Sequence, residues 1–242
     1  MATKEPESWI TVNGRHIPIG AGESKEDAIS KALSKDANTK EKQISNNEQE
    51  AKRLNEATKV DDGKSGNQNE QQFNKSITDA KASRPVVDRW RVDVHTAQEY
   101  KEEGCKCWKS PGGSTIAVTN KGDIISVCKH SNDKTMSGSD ILQRAVKMGG
   151  TKLDSFAGNH VFYTKNGFEP VSWTRFNEKY APEGWKESGC GKEPVIFYRY
   201  VGKGNVKYYG QEGLREFIAK VKAHEGEDGY DNAYAERDKA IK

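Results

Sequence analysis

The run Phe162-Tyr163-Thr164-Lys165-Asn166-Gly167-Phe168-Glu169-Pro170-Val171-Ser172-Trp173 reads as a helix that ends and turns directly into a strand. Gly167 closes the helix, because glycine enters the left-handed region without steric penalty. From Phe168 onward apolar and polar residues alternate as they do along a strand. The spacing predicts that the phenol of Tyr163 is exposed at this junction, where a reactive ligand would meet it. An aromatic pair before a Gly-Phe turn also serves as plain helix capping, so the junction takes its meaning from what surrounds it.

Working outward, Asn159 to Asn166 is a short helix, Leu153 and Phe156 belong to a strand, and Val195 to Val201 is a strongly apolar strand. Ser137 to Met148 is helical, with Ile141, Leu142, Ala145, Val146 and Met148 on one face and Gly149-Gly150 as the stop. Ser114 to Thr119 and Asp123 to Lys129 form a hairpin around Asn120-Lys121-Gly122, and Cys105 to Trp108 is a further strand before the Pro111-Gly112-Gly113 turn. Val86 to Val94 alternates as a first strand, and Thr96 is placed to cap a helix over the residues that follow. Together these predict an α/β domain over 85–202, a mixed, mostly antiparallel sheet flanked by helices. Residues 203–242 are expected to be a helical C-terminal tail, with helices over Leu214 to Val221 and from Tyr230, and without identifiable chemistry.

Ahead of this domain the chain changes character. Trp9 to Ile19 reads as a hairpin around Asn13-Gly14, so residues 1–20 form a small docking segment. Residues 21–84 read as a polar tether, with a helix capped at Ser24 and then apolar residues too sparse over Asp36 to Ser83 to offset chain entropy.

With 33% hydrophobic and 31% charged residues, a core filling all 242 positions is not expected. The net charge of +3, from 39 basic and 36 acidic residues, is too balanced for an electrostatic nucleic-acid binder. No run approaches the roughly 18 apolar residues that mark a membrane span, and no secretory segment precedes Cys105, Cys107, Cys128 and Cys190, which are expected as free thiols. Cys105-Lys106-Cys107 lacks zinc-ribbon spacing and a second ligand pair, so no metal is expected. Cys190 has no His-Asp arrangement to make it a nucleophile.

The element order and the Phe162–Glu169 junction resemble the GNAT-type N-acetyltransferases, and the resemblance covers 85–202. It implies acetyl-coenzyme A as co-substrate, an amine acceptor, and Tyr163 as the acid that protonates the departing thiolate. It implies that the strand from Asp123 to Lys129 splays from its neighbour and offers backbone at Val127, Cys128 and Lys129 to the pantetheine arm, and that Ser137, Gly138 and Ser139 meet the pyrophosphate at a helix N-terminus. The loop departs from the family pattern: Asp133-Lys134-Thr135-Met136-Ser137-Gly138 keeps the last glycine and opens on a carboxylate, which opposes an anion unless it turns away. The asparagine the family places earlier in the helix falls on Phe156, with Asn159 as its replacement. For the general base His130, Asp154, His160 and Glu169 all stand open. The excursion from Thr174 to Glu193, rich in aromatic residues, is expected to fold over the acceptor side.

The blocks Gly-Ser-Thr-Ile-Ala-Val, Gly-Gly-Thr-Lys-Leu-Asp-Ser-Phe and Gly-Phe-Glu-Pro-Val-Ser-Trp, and the Trp9–Ile19 segment, are similar to phage and prophage proteins. That resemblance implies a host-cytoplasmic or virion-associated protein whose residues 9–19 contact a phage structural or host protein. Two readings follow. One is acetyl transfer from acetyl-coenzyme A to an amine-bearing substrate: a protein lysine, a protein N-terminus, an aminoacyl-tRNA or a small amine. The other is a non-catalytic interaction or virion-associated protein that keeps a degenerate form of the fold.

Overall fold

The computed structural model describes residues 8–12, 15–19, 22–31, 34 and 66–241. The chain divides into two compact units, Met1–Thr58 and Lys59–Lys242. In the first, β1 (Ser8–Val12) and β2 (Arg15–Ile19) pair antiparallel from Ser8↔Ile19 to Val12↔Arg15, the register a two-residue Asn-Gly turn demands. The turn residues themselves lie outside the described residues. Residues 25–31 are helical (α1), and Ser24 caps them by accepting the Asp27 amide at 3.1 Å. The tether expected from Asp36 onward falls outside the described residues as far as position 65.

The second unit runs β3 (Gly66–Gln68), α2 (Glu70–Ser83), α3 (Val86–Arg89), α4 (Ala97–Glu102), β4 (Lys106–Lys109), β5 (Thr115–Val118), β6 (Ile124–Cys128), α5 (Gly138–Lys147), β7 (Lys152–Phe156), α6 (His160–Lys165), β8 (Phe168–Thr174), α7 (Trp185–Ser188), β9 (Val195–Tyr200), α8 (Gly210–Lys220) and α9 (Gly229–Lys239). It is a mixed α/β fold in which two antiparallel sheets, ordered β3-β4-β5-β6 and β7-β9-β8, are flanked by helices. The sheets meet at a parallel bridge between Asp123 and Lys152, at the heads of β6 and β7. One core gathers Ile116, Ile141, Leu142, Leu153, Phe168 and Phe217; a second gathers Phe73, Ile77, Tyr100, Cys107 and Cys128. Gly167 has φ +91°, and a Cβ there would stand 2.7 Å from the Gly202 carbonyl carbon, so both backbone angle and close approach require glycine.

Three expectations are corrected. The domain does not begin at Pro85, because Gly66–Gln68 pairs with β4 and α2 packs into the second core. The apolar residues that looked too sparse, Phe73, Ile77 and Ala80, fall on one stripe of a helix and are fully buried, so tertiary packing supplies what local composition lacks. Asn69 starts that helix with a capping box to Gln72. Nor is Val86 to Val94 a strand. The side chain of Arg89 donates to the carbonyls of Ala82 (2.7 Å) and Arg84 (2.9 Å), which pins the chain back onto the end of α2 and leaves a single helical turn with Val86 and Val87 exposed.

The C-terminal segment is an integral layer rather than a tail. Trp173 Nε1 donates to the Val221 carbonyl at 2.8 Å, the His224 amide to the Trp173 carbonyl at 3.0 Å, and Ser172 Oγ to the Ala233 carbonyl at 2.6 Å. Arg237, 0% exposed, reaches Asp123 at 2.6 Å and Asp238 at 2.9 Å. Lys152 joins the same group, 2.7 Å from Asp238 and 3.3 Å from Asp123, and Tyr234 donates to Asp123 at 3.0 Å. Thus α9 is bolted to the point where the sheets meet.

Because α2 belongs to the core, Ile77→Ala should lower unfolding free energy by about 2–5 kcal/mol in denaturant titration. A chain begun at Pro85 lacks β3 and α2 and bares Cys107, Ala117 and Cys128, so it should show no cooperative melt. A cooperative transition from that fragment would restore the boundary at residue 85.

Candidate functional site

The site begins with a flaw in β6. The register steps from Ala117↔Ile125 to Thr115↔Cys128, so Ser126 and Val127 oppose Ile116 alone, and Ser126 takes φ +53°. A non-glycine residue in that region is strained and is held by its surroundings. Here Thr115 Oγ1 donates to the Ser126 carbonyl at 3.3 Å, and the Ser126 hydroxyl lies 2.8 Å from that of Tyr100. A bulge bends its strand, and below the Asp123–Lys152 bridge β6 and β7 separate. A cavity of about 1330 Å³ occupies the split, lined by β6 and Lys129 beyond it and by Asp154, Ser155 and Phe156 of β7.

Alternation along β7 sends neighbouring side chains to opposite faces. Leu153 packs in the core with α5 and α6, and Ser155 faces the same way toward the Tyr163 hydroxyl. Asp154 faces Tyr230 of α9, and Phe156 stacks on Trp90 with ring centres 4.6 Å apart. Tyr163 was expected to be exposed; it is only 8% exposed, its ring packed among Phe162, Phe168 and Tyr198, yet it lines the cavity. Burial pushes its phenol up to about 12, against the hydrogen bond to Ser155. It is therefore neutral and holds its proton at physiological pH. Asn159 donates to Ser155 at 3.0 Å, so it acts on the tyrosine through the serine.

The loop before α5 is built differently from the expectation. Asp133 is buried and turned inward, accepting from Ser110 and Ser114 hydroxyls at 2.5 Å each and from the Thr135 amide and hydroxyl at 2.8 and 2.6 Å. These donors outweigh burial and hold its carboxyl well below the usual range. Gly112 is what allows this approach, since a Cβ there would lie 2.1 Å from Asp133 Oδ1. Lys129 spends its ammonium on the carbonyls of Asp133 and Met136, both at 2.7 Å, so it staples the loop. The Ser137 hydroxyl caps α5 by accepting the Asp140 amide at 3.2 Å. What remains for an anion is backbone: the amides of Gly138 and Ser139 open the helix without intrahelical acceptors. Val127 packs toward the α5 core, whereas the Cys128 side chain is buried on the α2 face, where desolvation pushes its thiol up to about 11.

Of the four base candidates only Asp154 lines the cavity. His160 is fully buried, with its ring nitrogens 3.2 Å from the Tyr198 hydroxyl and 2.9 Å from the Tyr208 carbonyl, and burial lowers its pKa. Glu169 is paired with Arg199 at 2.9 Å, and His130 accepts the Asn132 amide at 3.2 Å. Asp154 has its carboxyl pushed to about 6, chiefly by desolvation, with Asp123 and Asp93 acting in the same direction against Arg237 and Tyr230.

The Thr174–Glu193 excursion contributes Arg175, Phe176, Tyr180 and Pro182 to the cavity wall. Its return is clamped by Glu193, which pairs with Arg91 at 2.5 Å and accepts the Gly158 amide at 2.9 Å. Phe176 stacks on Trp185 at 4.5 Å. The Ser126 bulge carries no sequence signal, because nothing local marks a serine as left-handed. Tyr230 and Tyr234 also line the cavity from a helix whose sequence shows only polarity.

No family model, no curated protein and no solved structure matches this chain. Among the described residues, no helix is long and apolar enough to cross a membrane.

The raised pKa of Asp154 fixes the sign of a stability effect. Its folded value of about 6 lies above the ordinary carboxylate value of 3.8, so the folded chain binds the proton more tightly. Ionised Asp154 is a cost that is full above pH 6 and gone below pH 4. Asp154→Asn should accordingly gain on the order of 2–3 kcal/mol at pH 7.5, a gain that fades as melts are repeated from pH 6 to pH 4. An unchanged or lower melting temperature at pH 7.5 would show that the carboxylate is stabilised where it stands.

Proposed function

We propose that the domain over 66–241 transfers an acetyl group from acetyl-coenzyme A to an amine, with Tyr163 as the acid. The observation that carries the reading is the neutral phenol of Tyr163 at the split between two half-sheets. The strand order β3-β4-β5-β6 and β7-β9-β8, parallel where β6 meets β7 and open beyond, supports a GNAT-like arrangement, as does the bulge that diverts β6.

In this reading the thioester lies in the split, with the backbone of 127–129 along the pantetheine arm and the Gly138 and Ser139 amides toward the pyrophosphate. The amine attacks from the α9 side. As the carbon–sulfur bond breaks, the thiolate takes the Tyr163 proton, and Ser155, held by Asn159, keeps the hydroxyl oriented. A phenol near 12 starts fully protonated, which an acid requires.

One observation favours the non-catalytic reading. In the loop before α5 the Lys129 ammonium is spent on two loop carbonyls and the Ser137 hydroxyl caps the helix, which leaves the exposed Lys134 as the loop's other cation. Pyrophosphate binding then rests on two amides and the helix dipole.

Calorimetric titration separates the two. Acetyl-coenzyme A should bind with micromolar affinity, on the order of −8 kcal/mol. Tyr163→Phe keeps the ring contacts and should leave that affinity in place while thiol release falls about 10²–10⁴-fold. No saturable binding at millimolar acetyl-coenzyme A would give the domain to the interaction reading. Equal turnover in both proteins would reduce Tyr163 to packing.

A further inference from the structure

We propose that Cys190 is a site of oxidation, at which a hydroperoxide converts the thiolate to a sulfenate whose oxygen is received by the Trp90 indole and the Arg91 guanidinium. The inference is independent of acyl transfer.

The local chain builds the site. Trp185–Ser188 is one helical turn closed at both ends by left-handed glycines, Gly184 at φ +82° and Gly189 at φ +69°. The Ser188 hydroxyl accepts the Cys190 amide at 3.1 Å, and Trp185 Nε1 donates to the Gly191 carbonyl at 3.3 Å, so the cysteine backbone is held on both sides. Its neighbours in space come from the residues that follow α3. Arg91 Nη2 lies 3.8 Å from the Cys190 sulfur, and the same guanidinium lies over the Trp90 ring, 4.6 Å from its centre. Glu193 fixes Arg91 from the other side, accepting from it at 2.9 and 2.5 Å. A cysteine whose sequence offers no His-Asp partner is therefore given a cation by the fold.

The observation that points to a ligand is Trp90. Its side chain is 1% exposed, and its Nε1 makes no hydrogen bond among the described residues. The group that this N–H faces is the Cys190 sulfur. A buried donor left without an acceptor is costly, and sulfur is a weak acceptor. An oxygen placed on that sulfur is a strong one, and as a sulfenate it also carries the charge that Arg91 matches.

The thiol is prepared for attack. The Ser188 hydroxyl beside it first, then Trp90 and Arg91, hold it below its ordinary value against desolvation, and the thiolate is the form that reacts. The other three thiols move the opposite way: burial pushes Cys105 and Cys107 up to about 12 and Cys128 up to about 11. Approach is open as well, since a Cβ at Gly189 or Gly191 would meet nothing within 4 Å. In the step, the thiolate sulfur attacks one peroxide oxygen, and the sulfur–oxygen bond forms as the oxygen–oxygen bond breaks. Sulfur gives up two electrons; the departing oxygen takes the sulfenic proton and leaves as water, or as an alcohol from an organic hydroperoxide.

The test exposes the full chain at pH 7.5 to equimolar hydrogen peroxide, and in a second arm to tert-butyl hydroperoxide, with dimedone present to trap sulfenate and peptide mass spectrometry to place the adduct. One adduct is expected, at Cys190, forming about tenfold faster than on a synthetic peptide of residues 185–195, which carries the same thiol without Trp90 or Arg91. The faster arm identifies an inorganic or an organic hydroperoxide as the oxidant. Arg91→Gln should bring the rate down toward that of the peptide, and Arg91→Lys, which keeps the charge, should recover part of it. Trp90→Phe keeps a ring to stack on Phe156 and removes the N–H, so without dimedone the sulfinic product should accumulate sooner than in wild type. Cys190 reacting no faster than the peptide in either arm, or adducts spread alike over Cys105 and Cys190, would overturn the proposal, and neither comparison needs a variant to fold. Equal rates in wild type and Arg91→Gln, with the same sulfinic yield in Trp90→Phe, would overturn it too.

Discussion

A buried guanidinium organises the second unit of this molecule, Lys59–Lys242. Arg237 has no exposed surface, and its partner Asp123 belongs to the bridge that joins the two half-sheets. A charge in that position is costly unless matched, and breaking such a pair from one side typically costs about 3–5 kcal/mol. Lys152, Asp238 and Tyr234 complete the match, so two positive and two negative groups close on one another around a tyrosine hydroxyl. One arginine nitrogen, Nη1, is left without a partner. The network fixes where β6 and β7 touch, and therefore where they begin to part. It also fixes α9 against β8 and β9, so the cavity has a floor and a far wall. Remove the arginine and the sheet junction, the helix and the cavity lose a common anchor.

Other local costs gather around the same split. Ser126 sits in a backbone region that side chains avoid, Asp154 is ionised where burial disfavours it, and Asp133 is a buried carboxylate satisfied by five short-range donors. Strain and desolvation of this kind need a rigid surround. The surround is visible: β5 is buried along its whole length, and α2 and α5 pack on its opposite faces. Asp133 differs from the other two in consequence. Its bonds shape the loop before α5 but leave no charge facing a ligand, whereas Asp154 and the Ser126 bulge both open onto the cavity.

What could be read from the sequence was whatever local chemistry decides. The helix-to-strand turn at Gly167, the Ser137 cap, the β5–β6 hairpin and the strand pairing beside Asn13-Gly14 all depend on residues within a few positions of one another. What could not be read depends on partners distant in the chain. Phe73 and Ile77 look isolated until Tyr100, Cys107 and Cys128 close over them. Val86 to Val94 has the alternation of a strand, yet Arg89 folds it back onto the end of α2. Asp133 was legible as a carboxylate in the wrong place for an anion, but its inward turn depends on Ser110, Ser114 and the missing Cβ of Gly112. The last helix hid most, since Tyr230, Tyr234 and Arg237 appear in sequence as a polar ending.

The candidate site follows the same division. Tyr163 could be picked out because it sits at a local motif; the carboxylate across the strand could only be one candidate among four. The choice between them comes from the period of β7. Ser155 turns toward Tyr163 and Asp154 turns away, so a neutral phenol and a carboxylate stand on opposite faces of one strand, at the edge where that strand has lost its neighbour. Two ligands approaching from the two faces would meet only at that edge. A strand that must keep its backbone paired cannot offer such an edge, and the bulge at Ser126 is what releases it. The strained serine, the buried arginine and the two-faced strand are therefore one arrangement, in which a junction held shut at one end makes an opening possible at the other.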